Sequence, residues 1–190
     1  MRQLLDRLDN SATGECAEEF NIPVPDWKMK EAEHMAALCG DSMYKKYNVH
    51  EGVSCCNQAG LVQMYLNNVW NANLSITGAD GLPPVAIAGN VVRSGTTVRC
   101  SMRLPPGLDP IKATADIKAK LAKDVPYNAK VTIGDGHAGS GWCMKELKPW
   151  LHNALQQGTV YLLTISYYMG SGYGCKDSNV TLLSHGECFF

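Results

Sequence analysis

The sequence lacks an excess of charge of either sign. Its 190 residues carry 17 lysines and arginines against 18 aspartates and glutamates, which gives a formal net charge of -1. Acidic and basic residues are interspersed, whereas a nucleic acid or an anionic membrane would require a basic surface. We therefore expect neither a nucleic-acid partner nor a membrane partner.

Long hydrophobic runs are also missing. The N-terminal segment MRQLLDRLDN has no continuous apolar stretch of the kind found in a secretory signal. The most apolar run, Thr159 to Met169, is far shorter than the roughly 20 residues that a membrane-spanning helix needs. These features predict a cytoplasmic protein.

Motifs for metal binding and for disulfide scaffolds are absent as well. The 8 cysteines and 5 histidines are dispersed, without a Cys-x-x-Cys pair or a His-x-x-x-His pair. Reduced thiols that serve as small apolar side chains are favoured over a disulfide scaffold, and a structural zinc is less favoured still. We assign no metal ligand and no catalytic residue.

Two further chemistries are weakly supported. The glycine-rich stretch Gly134 to Gly141 has neither a GxxxxGK[ST] nor a GxGxxG context, and it favours a flexible linker over a phosphate site. A cysteine hydrolase using His137 or His50 would require a family-type motif around a cysteine, and none surrounds these residues.

The segment from Leu74 to Leu121 carries the clearest structural signal. In a predicted strand from Val91 to Leu104, apolar side chains alternate with Arg99, Ser101 and Arg103, so that one face packs and the other is polar. Two prolines and a glycine then end the strand. Asp109 followed by Pro110 predicts the start of a helix.

The neighbouring segments complete a fold class. The helix is predicted over Asp109 to Lys123, a strand over Ala129 to Ile133, and another strand from Leu74 that ends at a turn at Gly78. Together, these predicted helices and strands indicate an α+β two-layer sandwich, with an antiparallel sheet and helices on one face.

Further helices are predicted outside this unit. Asp26 is expected to cap a helix over Trp27 to Leu38, and short helices are expected over Ser42 to Tyr47 and from Lys145 to Leu155. The apolar face of the first of these is predicted to contain Met29, Ala32, Met35, Ala36 and Cys39. Gly60 to Trp70 fits a helix and a strand equally well.

Four segments resemble a known family. They are RLDNSATGECAEEFNIPVPDWKMKEAEHM, LSITGADGLP, AGNVVRSGTTVRCSMRLPPGLDP and KPWLHNAL. The third is the most specific, because its predicted strand ends in an Arg-Leu-x-Pro motif. Together they are similar to the lid, or dimerisation, domain of metallopeptidase family twenty. This zinc-dependent family includes carnosinase, aminoacylase, carboxypeptidase G and acetylornithine deacetylase.

The resemblance implies a lid-domain fragment with a truncated ferredoxin-like fold. Intact members bind two zinc ions through His, Asp and Glu ligands and hydrolyse dipeptides or acyl-amino acids. Those ligands and the general base have no counterpart in this sequence, and the first lid strand and most of the first lid helix are also missing. The fragment is expected to form a homodimer, to contact substrate and not to be catalytic alone.

Two substrate-binding residues are implied by the resemblance. Arg103 matches the family arginine that binds the substrate carboxylate, and Asn90 matches the polar residue that holds substrate near the reacting carbonyl. A guanidinium suits a carboxylate because it donates two parallel hydrogen bonds. The alternative for Arg103 is a surface ion pair, and Arg93 and Arg99 are assigned as surface charges.

The resemblance also divides the chain. It predicts an N-terminal lid segment (1–73), the lid core (74–141), a return helix (142–155) and a divergent tail (156–190). Because the resemblance stops after Leu155, we hypothesise that the tail is out of family register, through a frame shift, a misjoined exon or a truncated gene. A second functional hypothesis is a stand-alone interaction module that pairs through its sheet edge.

Overall fold

A computed structural model describes residues 1–45, 47, 50–53, 60–143, 147–151 and 153–154, together with the backbone of 178–185. Its helices and strands in chain order are α1 (Arg2–Leu5), α2 (Asp26–Cys39), α3 (Ser42–Lys45), α4 (Leu61–Val69), β1 (Asn73–Asp80), β2 (Gly95–Arg103), α5 (Pro110–Ala122), β3 (Lys130–Ile133) and β4 (Ser178–His185).

The strands form one antiparallel sheet in the order β1-β2-β4-β3. Since β4 is antiparallel to both of its neighbours, β2 and β3 run parallel to each other. Helix α5 connects them in the chain, and β4 fills the space between them. The sheet and its helices confirm the predicted α+β class.

Strand β4 comes from the segment that the sequence sets apart as a divergent tail. In the register of the sheet, Val180 stands opposite Cys100, and Leu182 stands opposite Val98 on one side and Ile133 on the other. Residues 178–185 therefore belong to the sheet, although no resemblance links them to the lid core. The other tail residues lie outside the described part of the chain.

Helix α5 forms for the predicted reasons. The Asp109 carboxylate accepts hydrogen bonds from the backbone N–H groups of Ile111 at 2.9 Å and Lys112 at 3.3 Å, and Pro110 is the first helical residue. Ala113, Ile117 and Leu121 are buried along one side. The helix thus covers the apolar face of the sheet.

The main core lies between that face and the helices α1 and α5. Its buried residues are Leu4, Leu8, Cys16, Phe20, Ala72, Val98, Cys100, Met102, Leu104, Ala113, Ile117 and Leu121. Since the first twenty residues contribute four of these side chains, the N-terminal segment and the predicted lid core share one hydrophobic core.

A second cluster joins α2 to α4. Ala32, Tyr65, Leu66 and Trp70 are buried in it, and α4 settles the helix-or-strand ambiguity of this segment as a helix. The predicted apolar face of α2 is wrong at one position, since Met29 is 37% exposed while Lys28 is 4% exposed. Lys28 is buried because Glu31 and two aromatic rings surround its ammonium group.

The predicted limits of the first two strands are also wrong. Strand β1 does not end at Gly78, because a bulge between Ile76 and Gly78 lets pairing continue to Asp80. Strand β2 begins at Gly95 instead of Val91, since residues 91–94 remain in the connection between the strands. Of the predicted return helix, residues 149–151 and 153–154 are helical, whereas residues 142, 143, 147 and 148 are not, and residues 144–146, 152 and 155 lie outside the described part.

Candidate functional site

The polar face of β2 contains the two arginines that the sequence analysis singled out. Val98, Cys100 and Met102 are buried on the core side, whereas Arg99 and Arg103 are exposed on the opposite side. Alternation along the strand places both guanidinium groups on one face of the sheet.

Arg103 is the last residue of β2, and the two residues after it are firmly packed. Leu104 is 6% exposed, and Pro105 is among the most deeply buried residues of the chain. The buried proline and leucine fix the backbone just beyond the arginine, so the base of its side chain is attached to a rigid element. Across the sheet, Arg103 stands opposite Asn73 of β1.

Arg99 lies beside an open position on the neighbouring strand. Its partner in the register is Gly78, and a Cβ atom built on that glycine would lie 3.8 Å from the Arg99 Cβ. No side chain therefore covers Arg99 from this position of β1. Ser101, between the two arginines, is only 7% exposed.

Asn90 lies in the connection of residues 81–94, which precedes β2 and is exposed along its whole length. Arg103 is at the far end of the same strand, and eight steps along a β-strand span about 26 Å. The structure therefore does not place Asn90 and Arg103 at a common point of the strand.

The connection that contains Asn90 is strongly apolar for an exposed segment. Val85 is 94% exposed, Ile87 76%, Val91 73% and Val92 70%. Exposed apolar side chains concentrated in one short segment are typical of an interaction surface.

A buried polar cluster on α2 and α4 escaped the sequence analysis. The Lys28 ammonium lies 2.8 Å from Glu31 Oε1, and the Tyr65 hydroxyl donates a hydrogen bond of 2.8 Å to the same oxygen. Lys28 Nζ also lies 5.8 Å from the Trp27 ring centre and 5.6 Å from that of Tyr65. Burial, and then the Glu31 carboxylate, raise the pKa of Tyr65.

This cluster has the features of a structural element. Each charge has a partner, and the ammonium is enclosed by aromatic rings, so the arrangement offsets the cost of burying a lysine. The three-residue spacing of Lys28 and Glu31 on one helix face was the signal available in the sequence. Tyr65 could not be linked to them, because 34 residues separate it from Glu31.

A cavity of about 400 Å³ lies near the N-terminus, and it is lined in part by Asp6, Asp9, Glu15 and Cys16. Burial, followed by the neighbouring Asp6, raises the pKa of Asp9. Burial, followed by Asp9, raises the pKa of the Cys16 thiol to about 11.

The cysteines with shifted pKa values do not suit the cysteine-hydrolase alternative. Burial raises the pKa of Cys100 and of Cys143, as it does for Cys16. A nucleophilic cysteine requires the opposite shift, because the thiolate is the reactive form. These three thiols are therefore held in the unreactive state.

Other features of the described residues bear on the expected partners. Within this part of the chain, no group of three or more His, Cys, Asp or Glu side chains is arranged to hold a metal ion. None of the helices found there is both long enough and apolar enough to cross a membrane.

Comparison with models of protein families and with curated proteins found no match.

Proposed function

We propose that this chain is the lid and dimerisation domain of a metal-dependent peptidase or amidohydrolase, without the catalytic domain. Its role would be to supply dimer contacts and to bind the carboxylate of a peptide or acyl-amino acid. The two zinc ions of such an enzyme would be bound elsewhere, since no metal ligand is assigned to this chain.

The observation that supports this proposal best is the position of Arg103. Arg103 is exposed at the end of β2, and buried Leu104 and Pro105 anchor the backbone next to it. An arginine can present its planar fork to a carboxylate and donate two hydrogen bonds, and because the fork is preorganised, less conformational entropy is lost per hydrogen bond than with a lysine. This is the chemistry that a substrate-carboxylate site requires.

Asn90 can contribute in two ways. Either the connection of residues 81–94 folds back along the sheet when substrate binds, or one subunit of a homodimer supplies Asn90 and the other supplies Arg103. Both are compatible with the exposure of this connection, and its apolar residues would be covered in either case.

A binding measurement tests the role of Arg103. Nuclear magnetic resonance titration of the full chain with N-acetylalanine should shift backbone amides near Arg103, and N-acetylalanine amide, which lacks the carboxylate, should bind at least about tenfold more weakly. Arg103→Gln should abolish the difference between the two ligands, while Arg2→Gln, an exposed control, should preserve it. Equal binding of acid and amide by the unmodified chain would contradict the proposal.

An alternative function is supported by the edge of the sheet. Among the residues that the structure describes, β1 pairs with β2 on one side and with no strand on the other, so backbone groups along its outer edge can pair with another chain. The chain would then act as a stand-alone interaction module that binds through this edge. Dimerisation without any carboxylate-specific binding would favour this alternative, and a strict monomer by light scattering would count against both functions.

The proposal includes a cytoplasmic location. Cys16, Cys39, Cys100 and Cys143 are free thiols, two of them buried. Cysteines used in this way are usual in a reducing compartment. Localisation of the tagged full chain in its own cells would test this, and secretion would contradict it.

A further inference from the structure

Strand β4 lies in a slot between β2 and β3. These two strands run parallel to each other, and β4 is antiparallel to both. Since paired strands lie about 4.8 Å apart, β2 and β3 are separated by about 10 Å, which is the space of one strand. We call this space the strand slot. It accepts a single extended segment that forms hydrogen-bonded ladders on both sides.

The walls of the strand slot belong to one continuous part of the chain. Strand β2, helix α5 and strand β3 follow one another in residues 95–133. The buried residues of β2 share a core with Ile117 and Leu121 of α5, and Val131 and Ile133 of β3 pack against the same core. The helix therefore holds the two walls in place on either side of the slot.

The occupant of the slot comes from a distant part of the chain. Ile133, the last residue of β3, stands opposite Leu182, so the start of β4 at Ser178 lies only about 13 Å beyond it. Residues 134–177 connect these two points, and a connection of this length could span more than roughly 100 Å. Because closing a long connection costs conformational entropy, a segment from another molecule can compete with β4.

An empty slot would be unfavourable, and this gives it affinity for a strand. The register of β4 runs along β2 from Gly95 to Met102 and along β3 from Lys130 to Ile133. Without an occupant, backbone N–H and C=O groups on both walls would lose their partners. The outer edge of β1 offers one ladder, whereas the slot offers two, so the slot is the stronger site for an extended segment.

We propose that the strand slot is a binding site for an extended segment of a partner protein, and that β4 occupies it when no partner is bound. The sequence of β4 shows which segments fit, since SNVTLLSH contains no proline and no Asp, Glu, Lys or Arg. Val180 and Leu182 stand opposite buried Cys100 and Val98, so apolar residues are required at alternate positions. The slot goes beyond the proposed function, because it requires no carboxylate ligand and no catalytic domain.

A synthetic peptide tests the slot. Residues 178–185, acetylated, amidated and fluorescently labelled, are titrated with the full chain and with its Leu182→Pro variant, and fluorescence anisotropy gives the affinity. Proline weakens β4 by removing a ladder N–H, so the variant should bind the peptide at least about tenfold more tightly than the unmodified chain, in which β4 competes. A peptide that itself carries Leu182→Pro should bind neither protein.

Nuclear magnetic resonance then locates the bound peptide. Binding in the slot should shift the amides of Val98 in β2 and Val131 in β3, and it should restore their protection from hydrogen exchange in the Leu182→Pro variant. Binding at the outer edge of β1 would shift the amides of Ser75 and Ala79 and leave Val131 unchanged, because two strands separate β1 from β3.

Two further variants separate the slot from general instability. Gly81→Ala strains the connection before β2 but leaves β4 intact, so it should bind the peptide no better than the unmodified chain does. Leu182→Gly keeps the ladder N–H and weakens β4 less than proline does. It should bind the peptide several-fold more tightly than the unmodified chain, and it gives the result if Leu182→Pro does not fold.

Three results would overturn the proposal. They are equal peptide affinity of Leu182→Gly and the unmodified chain, a gain in Gly81→Ala as large as that in Leu182→Gly, and amide shifts confined to β1. The third result would favour pairing through the sheet edge. None of them bears on the carboxylate site at Arg103.

Discussion

The guanidinium of Arg7 donates a hydrogen bond of 2.9 Å to the backbone carbonyl oxygen of Lys120, in the last turn of α5. It also donates to the carbonyl oxygens of Lys123 and, at 2.8 Å, of Asp124. The last carbonyls of a helix have no partner within the helix, and they carry the negative end of its dipole. A cation from the N-terminal segment therefore caps the helix that covers the sheet.

Arg7→Gln should lower the free energy of unfolding by about 2 kcal/mol, because several charge-assisted hydrogen bonds to the helix end are lost. Chemical denaturation followed by circular dichroism measures this. Arg2→Gln is the matched control, since Arg2 is exposed, and it should change stability by less than about 0.5 kcal/mol. Equal losses for the two variants would contradict a capping role for Arg7.

The buried cluster around Tyr65 predicts a loss of stability in alkaline solution. Burial and the Glu31 carboxylate raise the pKa of Tyr65 in the folded chain, whereas in the unfolded chain tyrosine ionises near pH 10. Below that pH both states are protonated, and the stabilisation is fully present. Above it the unfolded state loses its proton first, and stability falls by up to about 1.4 kcal/mol per pH unit.

Denaturation series between neutral pH and pH 11 for the unmodified chain and for Tyr65→Phe test this expectation. The variant loses the hydrogen bond to Glu31, so it should be less stable at neutral pH, and its stability should fall less steeply above pH 10. Parallel curves for the two proteins would show that Tyr65 does not carry the alkaline transition.

Gly81 fixes the start of the exposed connection between β1 and β2. Its φ is +86°, and a Cβ atom there would lie 2.4 Å from the carbonyl oxygen of Gly95. Gly81→Ala should cost at least about 2 kcal/mol, since it combines a left-handed backbone conformation with a backbone clash.

Gly89→Ala provides the comparison within the same connection. The nearest atom to a Cβ there is Val91 Cγ1 at 4.0 Å, which is an ordinary contact, so stability should change by less than about 0.5 kcal/mol. The denaturation midpoints of Gly81→Ala and Gly89→Ala test this difference in stability. Similar midpoints would mean that Gly81 and Gly95 do not approach each other as described.

Tyr127 lies in the connection between α5 and β3 with φ at +59°, and its side chain is 89% exposed. A bulky residue is strained in this conformation, and its exposed ring gains little packing in return. Tyr127→Gly should therefore raise the free energy of unfolding by about 1 kcal/mol. Tyr127→Ala keeps the Cβ atom and should give no such gain. Equal stabilisation by the two substitutions would contradict backbone strain at Tyr127.

The sequence predicted the elements whose signals are local. Asp109 and Pro110 define the start of α5, and alternation around Cys100 defines β2; both depend on neighbouring residues in the chain. The position of β4 depends instead on pairing between Leu182 and residues far away in the sequence, and no periodicity carries that information. For the same reason the Lys28 cluster was missed, because Tyr65 comes from another helix.

The candidate site was also predictable only where its signal is local in the sequence. The exposed face with Arg99 and Arg103 results from the two-residue period of a strand and was predictable. The separation of Asn90 from Arg103 was not, since it depends on where β2 begins. Residues 91–94 have a strand-like composition but are not paired in the sheet. Asn90 therefore lies before the N-terminal end of β2, whereas Arg103 is at its C-terminal end.

The central position of β4 gives the last prediction. Leu182 has paired strands on both sides, opposite Val98 and Ile133, and proline there would remove a ladder N–H and clash with the sheet. Leu182→Pro should lower stability by about 3 kcal/mol or more. Hydrogen exchange gives the regional readout: protection should be lost at the Val98 amide in β2 and kept at the Ala32 amide in α2, which belongs to the second cluster. Unchanged protection at Val98 would mean that residues 178–185 are not part of the sheet in solution, and the hypothesis of an unrelated tail would then gain support.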